Sequence, residues 1–409
     1  MKIRSITAFC NPGPDPEKWK LGEIAKAVDD AKAAIEGAGY EVQTTRLATV
    51  PFPQLLRQSG EESAIEFVQA AEKAAKAQNF GYLSLGPALP EYPASYALIP
   101  AMLGSSEISF FGGMLTTGNS EISAQAVEAS AEVISRASRL EPNGFANLRF
   151  AALANVPAGS PFFPAAFHMG DKPKFALATQ AADLAVDAFS GAESIRLGTE
   201  KLRSMIEEHG QKLASLCEDV SKTSGIDFGG IDFSLAPFPE ESQSLGTAFE
   251  SMGVSAIGLQ GSLTAAAILT GAIDAADYPG TGFNGLLLPP LEDSTLALRA
   301  AEGRLSMHDL LMYSAVCGTG LDTIPLPGNS SSGQMAALLM DVAALALRLD
   351  KALTARLMPI PGKEAGDKTN FDFEFFANSR VMTLEAQALS APLSSDEDIQ
   401  IKARRPSTI

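Results

Sequence analysis

The chain alternates short apolar, β-rich runs with longer stretches in which apolar residues recur every three or four positions. Residues 2–9 read as a strand. Asp15-Pro16 then reads as a helix start, because Asp caps free amides and Pro fits the first turn. Leu21, Ile24, Ala25, Val28, Ala31 and Ile35 share one face of a helix over 17–36, which Gly37 stops. A second strand over 42–50 completes a β–α–β unit, the clearest local pattern in the chain.

The same alternation predicts a helix over 61–78, a strand over 80–85, a shorter helix and a strand over 108–111. A helix over 121–138 and a strand over 148–156 follow. A Pro- and Phe-rich loop leads to helices over 173–190 and 194–220. Next come a strand over 227–236, helices over 242–252 and 261–276, and a strand-like run at 285–289. Helices over 293–302 and 306–317, a strand over 321–326, a helix over 333–349 and a strand over 353–360 complete the series. A β-rich stretch is predicted at 371–383, and the polar residues 388–409 are expected to be loosely held.

No low-complexity linker interrupts this order, so residues 1–387 are expected to form one domain. Strands separated by helices imply parallel pairing with right-handed crossovers. Roughly ten apolar strands would leave vulnerable edges in an open sheet, which favours a closed α/β barrel of about ten strands. A (β/α)8-like barrel is the alternative.

Composition narrows the functional classes. Hydrophobic residues make up 46% and charged residues 19%, which suits a large core. The apolar stretches are broken by Gly, Pro or charge, so no membrane-spanning segment is predicted, and the N-terminus lacks a secretory signal. A cytoplasmic location is expected. Three cysteines without a Cys-x-x-Cys pair form neither a disulfide framework nor a zinc site of ordinary spacing. The formal charge of −17 opposes nucleic-acid binding but not binding of a small anion, which a local cation can hold.

The strongest internal echo is Pro325-Leu326-Pro327-Gly328 and Pro359-Ile360-Pro361-Gly362. Proline ends each strand, and glycine permits a tight turn or the close approach of a ligand. Each is either a rigid turn or one half of a site on the carboxyl rim, where ligands of such folds bind. Ser330, Ser331 and Ser332 could present hydroxyls and amides to an anion or merely cap a helix. Lys363 and Asp367 add charge to the second loop. Asp322 opens an apolar strand and must be hydrated, capped or paired with a cation. Glu292 and Asp293 could ligate Mg²⁺ or Ca²⁺ with Asp322, or serve a helix N-terminus. His168, in a loop, is the best acid–base candidate by residue type. Cys317 is a candidate nucleophile placed unfavourably at a helix C-terminus.

Several stretches together resemble domain-of-unknown-function family 711. They are Asp232-Phe233-Ser234-Leu235-Ala236-Pro237, the run from Tyr313 to Gly328, and Met358-Pro359-Ile360-Pro361-Gly362-Lys363. The opening seven residues and Phe162-Phe163-Pro164-Ala165-Ala166 agree. The resemblance implies a ten-stranded α/β barrel similar to pyruvate formate-lyase. Arg380-Val381-Met382-Thr383 carries Thr where a glycyl-radical enzyme would have its Gly, so radical chemistry is not implied.

The expected function is an enzyme acting on a small polar or anionic metabolite at the barrel rim, with a divalent cation as an open option. A non-catalytic metabolite- or metal-binding regulator is the alternative, and a homo-oligomeric assembly role is a third.

Overall fold

The computed structural model describes residues 1–56, 60–317 and 319–404; Gly318 of the Tyr313–Gly328 run and residues 405–409 of the tail lie outside this range. Its strands are β1 (Lys2–Cys10), β2 (Thr45–Thr49), β3 (Tyr82–Ala88), β4 (Ser109–Met114), β5 (Glu121–Ile122), β6 (Phe150–Ala154), β7 (Lys174–Gln180), β8 (Asp227–Asp232), β9 (Gly320–Pro327), β10 (Leu353–Ile360) and β11 (Ile399–Gln400). Nine of them form one sheet in the order β8-β7-β1-β2-β3-β4-β6-β10-β9, and β5 pairs with β11. β1, β2, β3, β4 and β6 run one way. β7 and β10 join this group antiparallel, and β8 and β9 continue them in parallel.

The fold class is therefore α/β as expected, but the two antiparallel junctions exclude an all-parallel (β/α)8 barrel. No ladder closes β8 onto β9 among the described residues. Segment 279–289 lies between these two edges. It makes isolated parallel bridges to the β8 side at Ile231↔Gly280 and Leu235↔Leu286. On its other side, Leu286 N donates to Cys317 O at 3.2 Å and Thr319 Oγ1 donates to Leu286 O.

The sheet's two faces are both buried, which is why its strands read as nearly continuous apolar runs. Leu47, Leu83, Phe111, Ala152 and Ala355 face outward and pack with Val28, Val127 and Leu339 of the surrounding helices. Phe9, Ala48, Phe110 and Ala176 face inward onto Phe163 and Ala166. Those two belong to the loop between β6 and β7, which is held inside by Thr7 Oγ1 to Pro161 O (2.9 Å) and Ser84 Oγ to Ala166 O (2.6 Å).

Local differences from the sequence pattern have physical causes. Residues 174–180, expected as helix, form β7, because pairing on both sides overrides the helical propensity of an Ala-rich run. The first helix begins at Gly22, since Asp15-Pro16 opens only a short 3₁₀ turn. The expected strands at 285–289 and 371–383 form isolated bridges, at Leu286 and Arg380, rather than ladders. Helix Ser332–Leu349 is long and apolar enough by composition to cross a membrane, contrary to the sequence reading. Here Met335, Leu339, Val342 and Ala346 bury one face of it in the core. In the tail, besides β11, Arg404 N donates to Arg348 O at 2.9 Å.

Asp232 ties segment 279–289 to the sheet. Its carboxylate, fully buried, accepts from Ser234 Oγ (2.6 Å), Phe283 N (2.7 Å) and Asn284 N (3.0 Å). Burial raises its pKa to about 6, against the lowering effect of those donors. Gly282 sits at φ 74, and a Cβ there would strike the Asp232 carboxylate. Gly282→Ala is expected to lower unfolding stability by about 2 kcal/mol or more in urea melts, from backbone strain plus the clash.

Candidate functional site

The inner face of the curled sheet encloses a cavity whose space open to the centre of a water molecule is ≈ 110 Å³. A single water needs roughly 10–15 Å³ by that measure, so there is room for a small organic molecule. Phe162 to Ala165 of the inserted loop bound it on one side, and Phe373 and Phe375, from the chain after β10, bound it on the other.

Its charged lining is Arg4, Arg46, Glu292, Asp322 and Arg356. Arg4 Nη2 donates to Glu292 Oε2 (2.7 Å), and Arg356 Nη2 donates to Glu292 Oε1 (2.8 Å). Arg356 Nε donates to Asp322 Oδ1 at 2.6 Å, giving an unbroken chain Arg4–Glu292–Arg356–Asp322. Burial works against the Arg356 charge, but Asp322 and Glu292 outweigh it and hold its pKa above the usual value. The network extends outward: Arg4 Nη1 donates to Gln180 Oε1 (3.0 Å), Gln180 Nε2 to Gln243 Oε1 (3.0 Å), and Gln243 Nε2 to Glu240 Oε2 (2.9 Å).

Two irregularities in the ladder aim this chain inward. The register between β1 and β7 slips between Ile3 and Ser5, so Arg4 is an extra residue on β1. Ile3 and Ile6 both still reach the outer core, while Arg4 lines the cavity. Between β9 and β10 the register jumps from Leu321↔Ala355 to Ile324↔Leu357, setting Asp322 and Thr323 against Arg356 alone. Thr323 takes φ 42, which a β-branched residue rarely adopts, and its buried Oγ1 has no hydrogen-bond partner among the described residues. Such bulges re-aim a side chain at the cost of local strain.

Arg46 differs from the other two arginines. It is 8% exposed, and its guanidinium stacks over Tyr82 (5.4 Å) and Phe163 (5.2 Å). Its side-chain hydrogen bond among the described residues is Nε to Thr44 Oγ1 at 2.8 Å, and no carboxylate pairs with it there. Burial first, then the charges of Arg4 and Arg356, lower its pKa to about 9 against the raising effect of Tyr82 and of the nearby but unbonded Glu292, so it remains a cation at neutral pH.

The cavity brings together Asp322 and Glu292 but not the other expected site residues. Asp293 is a helix N-cap whose two oxygens accept from Ser244 Oγ and from the amides of Leu245, Gly246, Thr295 and Leu296. Glu292 and Asp322 are held by guanidiniums, and no three His, Cys, Asp or Glu side chains gather as metal ligands among the described residues. That geometry does not suit the expected Mg²⁺ or Ca²⁺, which needs free oxygens in number.

The two Pro-x-Pro-Gly turns do meet, because β9 and β10 are parallel neighbours and Gly328 N donates to Lys363 O at 2.9 Å. A Cβ at Gly328 would strike Ile360 O and Pro361, so close packing explains the glycine. Gly328, Ser330, Ser331, Ser332 and Gly362 lie in an outer recess beside Arg139, just beyond helix Ala124–Ala137, and none of them lines the cavity. Ser331 forms a capping box with Gln334. Asp367 Oδ2 accepts from Glu364 N in the exposed turn after Lys363, and neither Lys363 nor Asp367 lines the cavity. Cys317 is buried at its helix end, outside the cavity.

His168 is also buried and lies outside the cavity lining; neither ring nitrogen has a hydrogen-bond partner among the described residues. Burial and the Lys174 charge lower its pKa. What the sequence reading missed was Arg4, Arg46 and Arg356. Arg46 and Arg356 are each a lone charge in an apolar strand, the same signal that singled out Asp322, whereas Arg4 shares its strand with Lys2.

Two outcomes are expected. Arg356→Met leaves Glu292 and Asp322 buried without their shared cation and should cost about 3–5 kcal/mol in denaturant melts. For His168, the folded pKa lies below the unfolded value of about 6.5, so its stability contribution is full above that pH and falls away beneath it. His168→Phe should flatten the stability–pH profile below about 6.5 if folding is retained.

The family profile described as "Uncharacterised ACR (DUF711)" matches residues 1–379. A UPF0210 protein of Pyrobaculum aerophilum is 31% identical over 368 residues, covering 85% of this chain and 79% of that protein. One from Pyrobaculum islandicum is 30% identical over 400 residues, covering 90% and 87%. One from Neisseria gonorrhoeae is 25% identical over 367 residues, covering 86% and 81%. By the match over nearly its whole length, and by relatives sharing close to a third of its residues, the chain belongs to the DUF711 family.

Proposed function

We propose that this chain is an enzyme on a small anionic metabolite, held inside the barrel-like sheet rather than at its rim, and acting without radical chemistry. The observation that carries this is Arg46: a buried guanidinium on the cavity wall with no acidic partner among the described residues. Burying a charge is costly unless a partner is supplied, and an anionic ligand supplies it. Arginine also presents paired donors in the geometry a carboxylate or phosphate oxygen pair accepts. The aromatic walls exclude water and strengthen that contact.

Enclosure supports the reading. Segment 279–289 bridges β8 in parallel and bonds beside β9, so it would act as a tenth, irregular strand. It would make five strands in each direction and close the barrel of the pyruvate formate-lyase type that the sequence resemblance implies.

A second reading, ligand binding without turnover, is favoured by Glu292, whose two oxygens are both taken by arginines and are poorly placed to move a proton. Both readings need Arg46. Acetate and inorganic phosphate, titrated separately, should raise the melting temperature of the wild-type chain. Saturation at 100 times Kd corresponds to about 2.7 kcal/mol. Arg46→Met should fold and lose the effect. Stabilisation by neither anion, or equal stabilisation of Arg46→Met, contradicts the reading.

A further inference from the structure

We infer that the ligand of this cavity is a small hydroxycarboxylate carrying a single negative charge; this rests on the anion-binding reading above. Three guanidiniums and two carboxylates line the space, so its described charged groups sum to one positive charge. Arg4, Glu292, Arg356 and Asp322 are tied to one another, which localises the surplus at Arg46. In a space walled by Phe162, Phe163, Phe283 and Phe375, one monoanion restores neutrality, whereas a dianion reverses the imbalance and a zwitterion leaves it.

A second polar group is specified by Asp322. Its Oδ1 accepts from Arg356, but its Oδ2 accepts no hydrogen bond among the described residues, although the side chain lines the cavity. An ionised carboxylate is an acceptor only, so what it recognises is a donor. A neutral hydroxyl supplies that donor without altering the charge balance. The bulge sets Asp322 and Thr323 opposite Arg356, and Arg356 anchors the carboxylate through Oδ1. Arg46 is thus the anion hook and Asp322 the hydroxyl acceptor.

The test is calorimetric titration of the full chain with L-lactate, propionate, L-alanine and L-malate. Lactate is expected to bind about 10- to 100-fold more tightly than propionate, the range a hydrogen bond to a charged group provides. Alanine and malate should both bind more weakly than lactate. Asp322→Asn should reduce the lactate-to-propionate ratio toward one, because the added positive charge acts on both anions alike and cancels in the ratio. Because that variant touches a buried ion pair, its fold is checked by circular dichroism, and the wild-type ratio stands as an independent readout. Equal affinity for lactate and propionate, or preference for alanine or malate through Arg46, overturns this inference and leaves the anion reading intact. If all four bind wild type and Arg46→Met alike, or none binds, the anion reading itself falls.

Discussion

The interior of this protein is organised by one buried chain of charge, Arg4–Glu292–Arg356–Asp322. Each link is 2.6–2.8 Å long, and the four residues come from β1, the segment after 289, β10 and β9. Those pieces of chain are separated in sequence, and β1 belongs to the directional group opposite to that of β9 and β10. A buried ion pair is weak evidence for stability, because desolvation cancels much of the attraction, but breaking one is costly. The network therefore works best as a specifier of geometry. It fixes how the two directional groups of strands face each other across the cavity, and it exhausts the charges of every member except the outlying oxygen of Asp322.

That exhaustion is what makes Arg46 informative. It resides on β2 between two aromatic rings, close enough to Arg4 and Arg356 for their charges to lower its pKa, and outside their ion pairs. A fold that balances four buried charges against each other and leaves a fifth open carries an electrostatic imbalance that a ligand can remove. The strained Thr323 and the extra residue Arg4 belong to the same arrangement, since both interrupt regular pairing where the polar groups enter.

Much of the architecture was legible in the sequence. The β–α–β opening, the long helices and the paired strands β9 and β10 follow from apolar periodicity and from the turn residues that end them. Residues 174–180 were not legible as a strand, because an Ala-rich run has no local preference that survives pairing on both sides. The Pro-x-Pro-Gly echo was real but misleading: two parallel strands of matched length end in matched turns, and Gly328 is needed for their packing. Asp322 was found because an acid in an apolar strand is anomalous. The same test applied to arginine would have found Arg46 and Arg356, but not Arg4, which shares its strand with Lys2. Bulges, by contrast, leave no mark in a single sequence, so the convergence of these residues could not be read before the register was known.

The central claim is that the cavity holds one uncompensated positive charge at Arg46. A crystal soaked in sodium bromide and measured at the bromine edge tests it directly. An anomalous peak within hydrogen-bonding distance of the Arg46 guanidinium is the predicted result. An empty cavity with Arg46 paired to a carboxylate of the protein would contradict the account.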